Sequence, residues 1–254
     1  MIMFIDTHCH LDDPALLDRL PEVLRAAGLA GIGKFVVPAV EPDNWGRVAS
    51  LADRERGIFP AFGLHPMHAR KYNDYLLSEL KLRSNDSVAI GEIGLDYLLP
   101  EVPRGEQLSA FRSQLKLAVK IGLPVLIHCR RAFSDLLRIL REEDAGKVGG
   151  IMHAFSGSPE IARECIRMGF AVSVAGPLTY LNAVRPIELV REIPLEHLVL
   201  ETDSPDMTPE PFRGLPNEPA YLVETAKKLA LIKGVSLEEV ALVTTRNAEC
   251  LLRI

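Results

Sequence analysis

Six short apolar runs spaced along this chain each deliver a residue that binds divalent metals. They read Phe4-Ile-Asp-Thr-His8-Cys-His10, Ala61-Phe-Gly-Leu-His65-Pro66, Val88-Ala-Ile-Gly-Glu92-Ile, Val125-Leu-Ile-His128-Cys-Arg130, Gly150-Ile-Met-His153-Ala-Phe and Leu198-Val-Leu-Glu201-Thr-Asp203. Each run is short and apolar, as a buried strand is. Residues so distant in sequence share one site only if the strands point the same way. A (β/α)₈ barrel meets that condition, because every strand delivers its last residues to one rim. The pattern predicts a metal-dependent hydrolase.

Length fits this reading. The chain has 254 residues, against about 250 for such a barrel, so residues 1–254 are read as one TIM-barrel domain. Strands are expected near 3–7, 34–40, 58–63, 87–92, 124–128, 149–153, 171–175 and 197–202. Helices are expected near 14–29, 43–55, 74–84, 105–122, 132–143, 159–168, 183–191 and 218–232, with a last pair near 236–242 and 245–252. The clearest is 105–122, where Leu108, Phe111, Leu115 and Val119 recur at helical spacing and Gly122-Leu-Pro124 stops the pattern. A doubly wound sheet is the competing α/β layout. Five prolines between 205 and 219 predict a stiff, ordered loop over the site.

Charge narrows the partners. With 29 Lys and Arg against 34 Asp and Glu, the net charge of −5 leaves no basic surface to grip long duplex nucleic acid. Cys9, Cys129, Cys165 and Cys250 lack zinc-ribbon or disulfide-framework spacing and read as reduced thiols of a cytoplasmic protein. No basic stretch followed by an apolar one opens the chain, so no signal peptide is expected. No apolar run approaches the ~18 residues of a membrane span.

The chemistry is carried by residue type and spacing. His8 and His10 are two apart, which on a strand puts both rings on one face. Asp6 shares that face and is read as a partner that orients a ring. Glu92 sits between Gly91 and Ile93-Gly94, and its two oxygens suit a bridge between two ions. His128 and His153 end consecutive apolar strands, and Arg130 shares the face of His128, where its planar fork suits a phosphate. Glu201 and Asp203 alternate onto one face. Asp203 is read as the group that takes a proton from water, with Glu201 as its supporting partner or a further ligand. His65 is read as a contact to phosphate oxygens, while Asp96 is left between a site contact and a turn residue. His68 and His197 are read as uninvolved.

Together these segments resemble the TatD family of metal-dependent hydrolases. The matching marks are Asp6-Thr-His8-Cys-His10, Gly63-Leu-His65-Pro66, Gly91-Glu-Ile-Gly-Leu-Asp96, His128-Cys-Arg130, His153-Ala-Phe-Ser-Gly157 and Glu201-Thr-Asp203-Ser-Pro205. The resemblance implies an amidohydrolase-like barrel and DNase action, chiefly removal of nucleotides from 3′ ends. It makes His8, His10 and Asp203 ligands of one ion, His128 and His153 ligands of a second, and Glu92 the bridge. The ions are expected among Zn, Mn, Fe or Mg, and the partner is single-stranded DNA or an oligonucleotide. Family nucleases commonly continue after Asp203 with an Arg-Gly-Lys-x-Asn segment. Here Asp206 and Leu215-Pro216 resemble a different branch, while Arg213 and Asn217 are read as keeping part of the phosphate contact. Two alternatives stand beside this: an esterase or deacylase, for example a D-aminoacyl-tRNA deacylase, and a non-catalytic metal-binding protein.

Overall fold

The computed structural model describes residues 3–254. Eight parallel strands follow one another in sequence order around a single sheet. They are β1 (Phe4–Asp6), β2 (Ile32–Ala39), β3 (Ile58–Phe62), β4 (Ala89–Asp96), β5 (Val125–Arg130), β6 (Gly150–Met152), β7 (Phe170–Val174) and β8 (Leu198–Leu200). The helices are α1 (Pro14–Leu17), α2 (Leu20–Leu29), α3 (Pro42–Arg54), α4 (Asp74–Arg83), α5 (Arg104–Ile121), α6 (Phe133–Glu142), α7 (Pro159–Arg167), α8 (Arg185–Glu192), α9 (Leu222–Lys233) and α10 (Leu237–Leu252). Thr7 N–H donates to the Leu200 carbonyl at 3.0 Å and Asp203 N–H to the His8 carbonyl at 2.9 Å, joining the first strand's exit to the last one's. The layout is the (β/α)₈ barrel and not the doubly wound sheet.

Strand alternation sorts the apolar residues into two cores. Ile5, Val36, Ala61, Ala89, Leu126, Ile151, Ala171 and Val199, one from each strand, face inward and fill the barrel. Ala248 and Leu252 of α10 pack against this inner cluster. Residues of the opposite parity, such as Phe35, Val37, Ile127 and Val172, meet the helices in the outer core. Cys9, Cys129 and Cys165 are buried, Cys9 and Cys129 on the outer side, while Cys250 is exposed.

Three expected boundaries differ, each for a local reason. The helix expected over 14–29 is two, because the chain bends at Asp18–Arg19 and restarts with Pro21 in the first turn, where its missing N–H is not needed. The pair expected at the C-terminus is one helix. No Gly or Pro interrupts it, and the Thr244 hydroxyl donates to the Val240 carbonyl one turn back. β4 runs on through Asp96 because Ile93–Asp96 pair with Ile127–Arg130 of β5. That pairing requires Gly94, whose φ is +149° and where a Cβ would stand 1.9 Å from the His128 carbonyl oxygen.

Candidate metal centre

At the C-terminal rim of the barrel, His8, His10, His65, Glu92, His128, His153 and Asp203 converge. The loops after β1 and β8 are zipped together by the Asp203–His8 bond and by His10 N–H donating to the Ser204 carbonyl at 2.8 Å. Asp203 itself has φ +56°, a conformation unfavourable for a side chain with a Cβ and held by those contacts. His65 N–H donates to the Val40 carbonyl and His153 N–H to the Ile127 carbonyl, so each ring is delivered at a strand exit.

Glu92 is the hub. Its Oε2 stands 3.2 Å from His8 Nε2, while its Oε1 stands 2.9 Å from His128 Nδ1, 3.5 Å from His65 Nε2 and 3.7 Å from His153 Nε2. Asp203 Oδ1 lies 3.5 Å from His10 Nε2, 3.7 Å from His153 Nε2 and 3.8 Å from His8 Nε2. Three sets hold their candidate ligand atoms within 4.8 Å of one another: His8, His10 and Glu92; His65, Glu92 and His128; and His8, His153 and Glu201. Glu92 belongs to two of them, one on each side of its carboxylate.

The electrostatics without an ion fit a place built for cations. Burial opposes charge on Glu92, but the surrounding imidazoles of His65, His153 and His8 outweigh it and hold the carboxyl well below its usual range. Burial also opposes charge on His153 and His10, yet the nearby carboxylates win. Glu201, Asp203 and Glu92 raise His153 to about 10, and the Asp203 hydrogen bond and charge raise His10 to about 9. His8 goes the other way, lowered by burial and by His153, and burial lowers His65 to about 3. Both ring nitrogens of His8, His153 Nδ1 and Glu201 Oε2 are buried without an aligned hydrogen-bond partner. His153 Nδ1 and Glu201 Oε2 stand 3.1 Å apart, but off the line a hydrogen bond needs. Imidazole nitrogens and carboxylate oxygens left unpaired in a buried cluster suit a divalent ion.

The other expected residues are placed differently. Asp6 reaches no imidazole. Its oxygens accept from Thr202 N–H at 2.9 Å, the Thr202 hydroxyl at 2.5 Å and His8 N–H at 3.3 Å, so it ties β1 to the segment after β8. Burial pushes its carboxyl up to about 7 against those bonds. Asn217 is fully buried. Its Nδ2 donates to the Thr202 and Asp206 carbonyls at 2.8 and 2.7 Å, pinning the proline-rich loop to the floor of the site. Arg213 lies over the Tyr180 ring at 4.1 Å, near Glu210, and is absent from the metal cavity's lining. Arg130 lines an adjoining cavity and not the metal cavity. Glu201 is buried beside His153, its Oε1 accepting from Ala154 N–H at 2.7 Å.

Two residues of α5 were missed by sequence reasoning. Gln107 accepts from Asp96 N–H at 2.8 Å and donates to the Asp96 carbonyl at 2.9 Å. Gln114 accepts from Leu64 N–H at 2.7 Å and donates to the Leu64 carbonyl at 3.1 Å, one residue before His65. Their signal is a pair of amides seven apart, two helical turns, both on the buried face of α5. Asp96, left open by the sequence, is buried with Oδ2 3.2 Å from His128 Nε2.

The cavity above these groups holds about 530 Å³ and is walled on one side by Asp12, Asp13, Glu41 and Asp43. Among the described residues no helix is long and apolar enough to cross a membrane. The chain is 42% identical to YabD of Bacillus subtilis, named as an uncharacterized metal-dependent hydrolase, over 99% of this chain and 100% of that protein. It superimposes on the crystal structure of YjjV, a TatD homologue from Escherichia coli, with TM-score 0.94 and 35% identity over all of both chains. A TatD-family hydrolase from Entamoeba histolytica shares the fold, with TM-score 0.88 and 24% identity over 98% of this chain and 97% of that one. The model of the TatD-related DNases matches residues 5–253, and the chain belongs to that family.

Proposed function

We propose that this protein is a metal-dependent phosphodiesterase that cleaves single-stranded DNA or the 3′ ends of oligonucleotides. The observation that carries the reading is Glu92, whose two oxygens face different imidazoles, His8 on one side and His128 on the other. That arrangement fits two ions sharing one carboxylate. His8, His10 and Asp203 would hold one ion, and His128 and His153 the other, with His65 close enough to Glu92 to join either the ions or the substrate. A set rich in imidazole suits Zn, Mn or Fe better than Mg, which prefers oxygen ligands. When bound, such a pair supplies a water that ionises near neutral pH and positive charge against the phosphoryl oxygens.

The chain's own groups do the rest. Asp203 is held ionised, because burial is outweighed by His153 and His10. Its oxygens are thus unprotonated at neutral pH, which leaves Asp203 the candidate acceptor for a proton from water. Glu201 stands 3.1 Å behind the His153 ring, where a small turn of the imidazole would make it the partner that ligating histidines use. Asn217 and Asp6 hold the β8 exit, and with it Asp203, in register. The buried unpaired Cys9, Cys129 and Cys165 support a reducing, cytoplasmic setting.

The acidic wall of Asp12, Asp13, Glu41 and Asp43 favours one second reading. Glu41 and Asp43 are taken by Lys71, which leaves Asp12 and Asp13 to suit an ammonium group, so an aminoacyl ester on RNA is the competing substrate. End-labelled single-stranded DNA and an aminoacylated RNA, each incubated with Zn, Mn or Mg, separate the two. Release of nucleotides supports the phosphodiesterase, and release of the amino acid alone replaces it with a deacylase.

A further inference from the structure

β5 ends at Arg130, and in an extended strand the next side chain points to the opposite face. Arg131 instead adopts φ +55°, a left-handed conformation that persists where surroundings hold it. The turn brings Arg130 and Arg131 onto one cavity of about 550 Å³, facing Arg185 of α8. Ser156 and Ser158, just before α7, add hydroxyls to the same lining. Arg112, Arg138, Arg141 and Arg163 are each paired with carboxylates. Among the described residues, Arg130, Arg131 and Arg185 have no such partner within 4.0 Å, and Glu188 is the one carboxylate in the cavity's lining.

This cavity adjoins the metal centre. Arg130 pairs in register with Asp96, which touches His128, and Ser156 follows His153 by three residues. The two sides of the centre differ in how their charges are partnered. Over β1–β3 the wall carries Asp12, Asp13, Glu41 and Asp43, the last two paired with Lys71, and Arg47 donates to the Asp12 carbonyl. Over β5–β7 stand three guanidiniums free to meet an anion. A polyanion engaged at the metals meets carboxylates, two of them already paired with Lys71, on the first side and unpaired guanidiniums on the second.

We propose that the cavity of Arg130, Arg131 and Arg185 binds a second phosphate of the substrate, next to the one being cleaved. Guanidinium forks match phosphate oxygens in pairs, and the Leu98 and Phe133 side chains give the attached sugar or base an apolar wall. The inference rests on the phosphodiesterase reading and deepens it. The substrate is a strand with at least two phosphates, lying with its charge toward β5–β7, and not an isolated diester.

Binding of a fluorescein-labelled, phosphorothioate-linked thymidine trinucleotide to the metal-loaded protein tests it by anisotropy. Arg131→Gln and Arg185→Gln each weaken binding roughly tenfold, the scale of one lost charged hydrogen bond. The double variant loses more, and the salt dependence becomes shallower. Arg191→Gln, the same change elsewhere on α8, serves as the charge-matched control. Equal weakening in all three single variants, or none in Arg131→Gln and Arg185→Gln, overturns the subsite. Thermal unfolding at the wild-type temperature keeps misfolding out of the comparison. Turnover of bis(p-nitrophenyl) phosphate tests the parent reading separately. If no metal supports it, and none supports oligonucleotide cleavage, the phosphodiesterase assignment falls, while the trinucleotide affinities still decide the arginine site.

Discussion

Glu92 Oε1 stands 2.9 Å from His128 Nδ1, and Glu92 lies at the register shift of β4 against β5, between the Ile90–Val125 and Ile93–Ile127 pairs. The carboxylate that faces both sides of the site is therefore carried on an irregularity inside β4, flanked on both sides by residues paired to β5. Its other oxygen, 3.2 Å from His8, reaches across to the β1 exit. No neighbouring acid spans the same gap, since Asp96 approaches only the far nitrogen of His128.

Glu92→Ala is expected to remove at least one ion and nearly all activity while the barrel still folds. Metal analysis by mass spectrometry of the purified variant checks this. Wild-type metal content with wild-type turnover rules out the bridge.

Asp203→Asn separates chemistry from folding. The amide fills the same space and still offers an oxygen, but it cannot accept a proton near neutral pH. The expected kcat is lower by roughly 10²–10⁴, the scale of losing a general base. A kcat near wild type with metal in excess assigns the proton to another group, and Glu201 is then the first candidate.

Asn217→Ala addresses a residue whose sequence position pointed to substrate and whose contacts do not. It leaves the buried Thr202 carbonyl without a donor, at about 1–3 kcal/mol, and frees the part-buried Asp206 carbonyl as well. Thermal unfolding is expected to fall by several degrees. A variant of unchanged stability but raised KM returns Asn217 to the substrate.

Protons occupy the ion-free site. His10 and His153, raised to about 9 and about 10, are protonated at pH 7, and an imidazole must lose that proton to bind a metal. Ion binding is thus expected to release at least one proton and to tighten as pH rises from 6 to 8. Calorimetry in two buffers of different ionisation heat measures the release directly. A binding heat independent of buffer contradicts it.

Much of this site is legible in the chain. Strand-like runs ending in His8, His65, Glu92, His128, His153 and Asp203 announce both the barrel and the rim, because a parallel barrel has only one place to send strand ends. Side-chain direction after a strand ends is less legible. Asp6 and Asn217 carry the residue types of a functional site, yet both bond to Thr202, 196 and 15 residues away. Such pairings depend on how loops close and leave no periodic trace. Arg130 keeps the expected face of β5, but the cavity it lines depends on the left-handed turn at Arg131. Gln107 and Gln114 were visible as polar residues on an apolar helix face, although only the packing of α5 shows that they clamp the exits of β3 and β4.

The central claim is that this cluster is a metal centre that drives phosphodiester hydrolysis. The most direct measurement strips the protein with a chelator, titrates Zn or Mn back, and follows cleavage of an end-labelled single-stranded oligonucleotide. The account predicts no cleavage in the stripped protein and recovery that saturates near two ions per chain, with Glu92→Ala silent throughout. Cleavage that survives complete metal removal, or a fully loaded protein that cleaves no phosphodiester, would contradict it.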